Sequence, residues 1–234
     1  MQMVILAGGL GTRLWSLTQR TPKSLVDISG KPFLQYQIEL LKRNGIMDIV
    51  LCIGYLGHRI KEFVADGAGL EVKLCYSEEG QRLLGTAGAL KQAEPLLQDQ
   101  FFVMYGDSYL MVDYRDIMDY FNNFDKLALM VVYRNNDRWD RSNVIIEGNR
   151  VKVYDKRRRL PGMVYIDYGL SILRRQALSA VPAGAVMSLQ EFYQGLIERG
   201  ELVAHEVQQR FYEIGSPAGL EEFRELVASG GISP

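Results

Sequence analysis

The stretch "MVILAGGLGTRL", from Met3 to Leu14, joins a short apolar run to a loop rich in glycine. A continuous apolar run of this length is typical of a strand buried on both faces, as in a parallel sheet. The loop therefore begins at the carboxyl end of the strand, where open α/β sheets bind ligands. Because glycines let backbone N–H groups approach phosphate oxygens closely, the stretch predicts an anion site at this edge.

Strands and helices alternate regularly along residues 1–134. Apolar residues at helical spacing, between Pro32 and Gly45, predict a helix. Glycine and polar turn residues separate the later segments, which predicts strands at 48–54, 70–76, 100–105 and 127–134 and helices at 57–67, 85–97 and 114–124. This order is typical of a doubly wound α/β fold with a parallel sheet.

The rhythm changes in the last third of the chain. The pattern there predicts a hairpin around Glu147 to Asn149, a strand at 162–173, helices near 174–179 and 189–199, and a closing helix at 216–229. No linker, low-complexity segment or internal repeat interrupts the sequence. We therefore expect this α+β part to extend the same sheet.

The 234 residues carry 27 Lys and Arg against 28 Asp and Glu, a formal net charge of −1. This balance favours neither a nucleic-acid nor a membrane partner, so an anion site must be local. Residues 1–7 lack the pattern of a secretory leader, and no apolar stretch reaches the roughly 18 residues that span a bilayer. A soluble, cytoplasmic protein is expected, with Cys52 and Cys75 as buried, reduced thiols. The oligomeric state has no signal in the sequence.

The first loop matches two known anion-binding motifs poorly. The dinucleotide-binding fingerprint needs an acidic residue at the end of the second strand, but that strand ends in "CIGYLG". This weakens the interpretation as a nicotinamide-dependent oxidoreductase. The Walker loop needs a lysine next to a serine or threonine after its glycines, and the glycine spacing before Lys23 and Ser24 is different.

The loop closely resembles the signature of the sugar-1-phosphate nucleotidyltransferases, GGxGTRL followed by a spacer and PK. Residues 8–14 read "GGLGTRL", and Pro22 and Lys23 complete the signature. The resemblance continues through "LLGTAGAL" (83–90), "YGDS" (105–108), "VKVYDKR" (151–157) and "FYEIGSP" (211–217). The last segment departs from the family, because Glu213 replaces the usual aspartate and Ser216 the usual threonine. Glutamate still offers hard oxygen ligands suited to Mg²⁺.

The resemblance implies a fold and an activity. The fold is α/β, a Rossmann-like (GT-A-like) three-layer sandwich with a mixed, mostly parallel central sheet. One domain would span residues 1–234, with a nucleotide-binding half at 1–134 and a sugar-phosphate-binding half at 135–234. The activity is the Mg²⁺-dependent condensation of a nucleoside triphosphate with a sugar 1-phosphate, which releases pyrophosphate. The likeness is greatest to heptose 1-phosphate guanylyltransferases and N-acetylmuramate 1-phosphate uridylyltransferases. The segment "LGTAG" (84–88) also resembles mannose-1-phosphate guanylyltransferases, which favours GTP and leaves UTP and CTP open.

The resemblance also implies roles for individual residues. Arg13 and Lys23 would be catalytic, and Asp107 and Glu213 would bind the metal. The nucleotide would be bound by Leu6, Ala7, Gly8, Gly9, Gly11, Thr12, Gly85, Thr86, Ala87 and Gly88. The sugar phosphate would be bound by Asn143, Asp155, Lys156, Tyr168 and Gly169.

A non-catalytic nucleotide-sugar sensor would keep the fold and lose the charged positions. Arg13, Lys23 and Asp107 are all present, which favours the enzyme.

Overall fold

The computed structural model describes residues 1–80 and 82–232. Two compact units make up the chain: a first unit of Met1–Leu83, Met104–Met111 and Phe211–Pro234, and a second unit of Leu84–Val103 and Val112–Arg210. The chain leaves the first unit twice and returns to it twice. The predicted division at residue 134 separates a nucleotide-binding half from a sugar-phosphate-binding half. The compact units have other boundaries, and the division by bound substrate stays a prediction.

The described residues form thirteen strands and seven α-helices. The strands are β1 (Gln2–Leu6), β2 (Asp27–Ile28), β3 (Lys31–Pro32), β4 (Asp48–Ile53), β5 (Lys73–Glu78), β6 (Gln100–Tyr105), β7 (Ser108–Leu110), β8 (Ala128–Arg134), β9 (Val144–Glu147), β10 (Arg150–Tyr154), β11 (Tyr165–Arg174), β12 (Leu202–Val207) and β13 (Phe211–Glu213). The helices are α1 (Trp15–Thr18), α2 (Phe33–Arg43), α3 (Gly57–Val64), α4 (Gly85–Ala93), α5 (Tyr114–Asn122), α6 (Leu189–Glu198) and α7 (Pro217–Ala228).

Three parallel strands form the sheet of the first unit, in the order β5-β4-β1. Met3 pairs with Ile49, and Ile49 pairs with Leu74. Met3, Val4 and Ile5 are fully buried, which confirms the apolar run as an internal strand. Parallel pairing brings the carboxyl ends of all three strands to one edge, and the glycine loop begins there.

Two short strands that the sequence pattern did not predict complete the first unit near that edge. Strand β7 pairs antiparallel with β13, with Glu213 opposite Ser108. Behind this pair lies an aromatic core in which the Phe223 ring of α7 packs 5.0 Å from Phe33 and 5.0 Å from Tyr109. The packing anchors α7 and the strand before it against α2.

The sheet of the second unit is mixed, with the strand order β6-β11-β8-β12-β10-β9. Strand β8 pairs in parallel with β12 and antiparallel with β11, and β10 pairs antiparallel with both β12 and β9. The predicted hairpin is confirmed as β9 and β10. Strand β8 lies between β11 and β12, two strands that come from later in the chain.

Several predicted boundaries shift for local reasons. Helix α4 ends at Ala93 and a 3-10 turn follows, because Pro95 cannot continue the α-helical hydrogen-bond ladder. Strand β5 begins at Lys73, because residues 68–70 form a 3-10 turn and Glu71 has a φ of 58°. The helix predicted near 174–179 is a 3-10 helix from Arg175 to Ala180.

Cys52 is buried, as predicted, whereas Cys75 is half-buried, and neither forms a disulfide. Burial raises the pKa of the Cys52 thiol to about 12, and the nearby Glu79 carboxylate adds to the effect. Over residues 1–80 and 82–232, no helix is long and apolar enough to cross a membrane.

Candidate active site

The first glycine loop follows β1 and turns at Gly11. Gly11 has a φ of 64°, in the left-handed region that favours glycine. Its carbonyl accepts hydrogen bonds from Leu14 N at 2.9 Å and from the Thr18 hydroxyl at 3.0 Å. Thr12 and Arg13 are exposed at the start of this turn. The loop is thus fixed by its own backbone, while its polar residues remain accessible.

Five consecutive N–H groups of the loop, from Gly8 to Thr12, donate no hydrogen bond to any residue that the structure describes. Backbone N–H groups are normally paired, and successive ones form concave sites for anions. A Cβ at Gly9 would meet no described atom within 4 Å, so the loop surface there is open. The predicted phosphate-binding loop therefore has the donors and the space that a polyphosphate needs.

The turn at Gly106 and Asp107 packs against the start of this loop. A Cβ on Gly106 would lie 2.8 Å from the Leu6 carbonyl oxygen and 3.1 Å from Ala7 Cα, so a larger residue could not approach as closely. Gly106 N donates to that Leu6 carbonyl at 2.9 Å, and Ile214 N donates to the Asp107 carbonyl at 2.9 Å. Asp107 is therefore fixed between the ends of β1 and β13.

Arg13, Lys23, Asp107 and Glu213 meet beside Gly215, and we call these five residues the Gly215 cluster. A Cβ on Gly215 would lie 2.6 Å from Asp107 Oδ2, 2.6 Å from Glu213 Oε2 and 2.7 Å from Arg13 Nη2. Lys23 Nζ forms an ion pair with Asp107 Oδ2 at 2.5 Å. The structure thus brings together both predicted catalytic cations and both predicted metal ligands.

The Glu213 carboxylate is oriented by the start of α7. Its Oε1 accepts a hydrogen bond from the Ser216 hydroxyl at 2.5 Å, and its Oε2 accepts a short one from Gly215 N. Ser216 is also the N-cap of α7, where its hydroxyl oxygen accepts a bond from Gly219 N at 3.0 Å. The serine therefore supplies the hydroxyl that the family's usual threonine would supply.

The acid pair fits a hard divalent cation. Asp107 and Glu213 offer carboxylate oxygens close to one point, and a carboxylate has about four lone-pair sites, so the bonds already made leave capacity. Within the described chain, no group of three or more His, Cys, Asp or Glu could hold a metal. Water or phosphate oxygens would therefore complete the coordination, as is common for Mg²⁺.

The second glycine-rich segment begins α4 and packs against residues 185–189. The N–H groups of Ala87 and Gly88 donate to the Met187 carbonyl at 3.0 and 3.2 Å. A Cβ on Gly85 would lie 2.7 Å from the same carbonyl oxygen. Close packing within the second unit is thus one reason for glycine here. Nucleoside contacts by Gly85, Thr86, Ala87 and Gly88 stay a prediction.

A buried carboxylate, Asp167, connects three of the predicted sugar-phosphate residues. Its Oδ2 accepts a bond from the Tyr154 hydroxyl at 2.7 Å and pairs with Lys156 Nζ at 3.3 Å. Its Oδ1 accepts from Gly169 N at 3.0 Å, and Asp167 N donates to Asn143 Oδ1 at 2.9 Å. We call these five residues the Asp167 cluster. It places one cation and one amide around a fixed acid.

Gly169 allows this geometry. Its φ is 89°, and the pairing of β11 with β8 shifts register between Asp167 and Ser171. A bulge of this kind bends a strand and re-aims the neighbouring side chain. The regular pairing stops after Asp167, and within the interruption Gly169 N donates to the Asp167 side chain.

Two other predicted sugar-site side chains are used inside the second unit. The Asp155 carboxylate accepts bonds from Arg157 N at 2.8 Å and from Arg158 N and Nε at 2.9 Å. The backbone bonds from Arg158 and Arg157 lower the pKa of Asp155 below its ordinary value. Tyr168 is buried, and its hydroxyl donates to the Arg210 carbonyl at 3.4 Å. These contacts favour structural roles, and sugar contacts by Asp155 and Tyr168 stay predictions.

Glu79 and Asp167 are candidate functional residues that the sequence analysis missed. Glu79 directly follows β5, and its Oε2 would lie 2.6 Å from a Cβ on Gly8 and 3.0 Å from a Cβ on Gly54. An acid just after a parallel strand was the available signal for Glu79. Asp167 stands inside the apolar run "VYIDYGL", and a charge in a buried strand was its signal.

Known proteins support the resemblance. The nucleotidyl transferase family matches residues 2–141. The D-glycero-alpha-D-manno-heptose 1-phosphate guanylyltransferase of Campylobacter jejuni is 30% identical over 224 residues, which cover 95% of this chain and 98% of that protein. The N-acetylmuramate alpha-1-phosphate uridylyltransferase of Neisseria meningitidis is 40% identical over 115 residues, which cover 49% of this chain and 50% of that protein.

A solved structure of a similar protein has the same fold as this chain. HddC from Yersinia pseudotuberculosis, crystallised with GMP-PN, has a TM-score of 0.81 at 29% identity, covering 97% of this chain and 99% of that one. The likeness confirms the Rossmann-like α/β fold, whereas the three-layer, GT-A-like detail stays a prediction. Enzymes of this family commonly use a divalent metal. The relatives confirm the predicted enzyme class, and the chain belongs to the nucleotidyl transferase family.

Proposed function

We propose that the protein condenses a nucleoside triphosphate, GTP, with a heptose- or hexose-type sugar 1-phosphate to give a nucleoside diphosphate sugar and pyrophosphate. An oxygen of the sugar phosphate attacks the α-phosphorus, and the bond from the α-phosphorus to the bridging oxygen of the β-phosphate breaks. The observation that carries the proposal is the Gly215 cluster, where two cations and two carboxylates meet beside a loop of unpaired amides.

The first unit binds the triphosphate. The amides from Gly8 to Thr12 cradle its oxygens, and Arg13 stabilises the departing pyrophosphate with its planar guanidinium. Lys23 exchanges its ion pair with Asp107 for the α-phosphate. Asp107 and Glu213 would hold Mg²⁺, which supplies charge neutralisation at the nucleotide oxygens when bound. The cations and the acid pair thus neutralise each other in the free protein and separate when substrate arrives.

The second unit binds the sugar 1-phosphate. Lys156, held by Asp167, supplies a positive charge for the phosphate of the sugar 1-phosphate. Asn143 and Gly169, which both bond to Asp167, are the predicted polar contacts beside it. Asp167 orients Lys156 and thereby acts on the sugar phosphate indirectly. A phosphate is already an adequate nucleophile, so the reaction needs positioning and charge stabilisation rather than a general base.

A pyrophosphate-release assay tests the reaction. Each of GTP, UTP, CTP, ATP and dTTP is combined with a panel of hexose and heptose 1-phosphates and Mg²⁺. We expect release only when both substrates are present, with GTP preferred. Silence across the panel, together with retained nucleotide-sugar binding, would establish a non-catalytic sensor instead.

Glu79 supports the choice of GTP. Its carboxylate lies against the first glycine of the nucleotide loop, at the ends of three parallel strands. Guanine carries adjacent N–H donors on one edge, which a carboxylate accepts as a pair, whereas uracil offers a single N–H on the corresponding edge. The guanylyltransferase relative and the GMP-PN complex of HddC are consistent with this assignment.

The Glu79→Gln variant tests the base. A bidentate pair of this kind discriminates by about 1–3 kcal/mol, so kcat/KM for GTP should fall roughly 5- to 150-fold relative to UTP. Glu78→Gln is the matched control, because Glu78 directly precedes Glu79 in the chain and its carboxylate pairs with Lys61 at 2.6 Å instead of lying against the loop. Equal effects of the two variants on the GTP to UTP ratio would remove Glu79 from base recognition.

A further inference from the structure

Gln37 is a polar residue in the apolar face of α2. It is fully buried in the first unit, on a helix face that also buries Phe33, Leu34, Ile38 and Leu41. A binary pattern would place an apolar residue at this position. The position therefore has a requirement other than core packing.

The Gln37 amide bridges the turn that carries Asp107. Its Nε2 donates to the Tyr105 carbonyl at 3.2 Å and to the Ser108 carbonyl at 2.7 Å. These two carbonyls flank Gly106 and Asp107 in the chain. One side chain thus holds both ends of the turn.

Two further backbone groups of the turn are also held. Gly106 N donates to the Leu6 carbonyl, and the Asp107 carbonyl accepts from Ile214 N, each at 2.9 Å. With the two bonds from Gln37, four successive positions from Tyr105 to Ser108 are tied to the surrounding structure. That backbone fixes where the Asp107 Cα–Cβ bond starts and points, and rotation about χ1 then places the carboxylate from this fixed origin, beside Lys23.

The Gln37 amide makes these bonds at a cost in stability. Its Oε1 is buried and has no hydrogen-bond partner among the described residues. An unpaired buried acceptor destabilises the folded state. An amide at this cost in a buried position is explained by the site that it supports rather than by packing of the core.

We propose that Gln37 is a positioning residue that aims the Asp107 carboxylate for a divalent metal. The inference rests on the metal role of Asp107 in the proposed function. Gln37 touches neither substrate nor metal, and it acts only through the backbone of residues 105–108. Loss of its amide should weaken metal binding by letting the turn relax.

Binding of Mn²⁺ alone, followed by the electron paramagnetic resonance signal of the free ion, tests the proposal. In Gln37→Met, which keeps the length but lacks the donor, the dissociation constant should rise about tenfold or more. Gln37→Asn keeps an amide that is too short to span both carbonyls and should show a smaller rise. Gln35→Met is the matched control on the same helix, because the Gln35 side-chain amide bonds to Glu39 at 2.9 Å, away from the turn, and its loss should not change the constant.

Asp107→Asn should abolish the same binding, which identifies the site being measured. Unchanged Mn²⁺ affinity in folded Gln37→Asn would overturn the proposal, even if Gln37→Met fails to fold. Pyrophosphate release separates the two hypotheses. A Gln37 effect on Mn²⁺ without turnover of any substrate pair would sink only the proposed function, and turnover with no Gln37 effect would sink only the positioning role.

Discussion

The Gly215 cluster and the Asp167 cluster both pair acids with cations, but they differ in exposure. In the Gly215 cluster, Lys23 and Asp107 are 22% and 17% exposed and form a direct ion pair, and Arg13 and Glu213 lie close to them beside Gly215. In the Asp167 cluster the acid is only 3% exposed, and it accepts bonds from a hydroxyl, a backbone amide and a lysine that is 43% exposed. Partly exposed charges can exchange partners with a substrate, whereas a buried acid with three donors stays fixed and orients what it holds.

The largest expected effect is on turnover, at the Gly215 cluster. Lys23→Ala and Asp107→Ala should each lower kcat by about 10²- to 10³-fold, because each removes charge that stabilises the transition state. Neither charge is deeply buried, so the free energy of unfolding should change by about 0.5 kcal/mol or less. Pyrophosphate-release kinetics and thermal unfolding check the two parts. Large losses of stability in both variants would show that these residues are structural.

Gly215→Ala should lower kcat by about 100-fold, because the new methyl group would displace the three charged groups around it. Gly195→Ala is the matched control, since a Cβ there meets no described atom within 4 Å and the residue lies inside α6. The control should keep its activity and gain about 0.5–1 kcal/mol of stability. Full activity in Gly215→Ala would mean that the acids and Arg13 need not meet at this point.

Asp167→Asn should show the opposite pattern from the Gly215 cluster. It weakens the hold on Lys156, so KM for the sugar 1-phosphate should rise about tenfold with little change in kcat. It also disturbs buried hydrogen bonds, which should cost about 1–3 kcal/mol of stability. Steady-state kinetics and urea unfolding measure both. A fall in kcat at constant KM would assign Asp167 to the chemical step and remove the contrast between the clusters.

The smallest effect concerns Asp155 and pH. Its folded-state pKa is lowered from 3.8, chiefly by backbone bonds from Arg158 and Arg157, so the unfolded chain binds the proton more readily. The stability it contributes should be present above pH 3.8 and be lost as the pH falls through the lower folded-state value. Urea unfolding of wild type and Asp155→Asn should therefore differ at pH 6 and converge in acid. A raised KM for the sugar 1-phosphate in this variant would support the sugar contact that the sequence predicts.

The apolar runs in the sequence determined the positions of the main strands and helices of the first unit. Strand β1, strand β4 and helix α2 lie where the pattern predicts them, because each is a local period of hydrophobic residues. Most helices and strands of the second unit were also predicted, but their order in the sheet was not. Strand β11 lies between strands from much earlier in the chain, and no local period states which strand it joins.

The sequence by itself also determined the residue types at the Gly215 cluster, because a dense motif places Arg13 and Lys23 after the first strand. Only the tertiary structure decided which of the other residues meet. Close approaches between segments far apart in sequence explain the roles of four residues, Gly215, Glu79, Gln37 and Asp167. The Asp155 carboxylate instead bonds to the backbone of its own loop. Such contacts depend on strand order, register and a bulge at Gly169, which are properties of packing between segments rather than of any one segment.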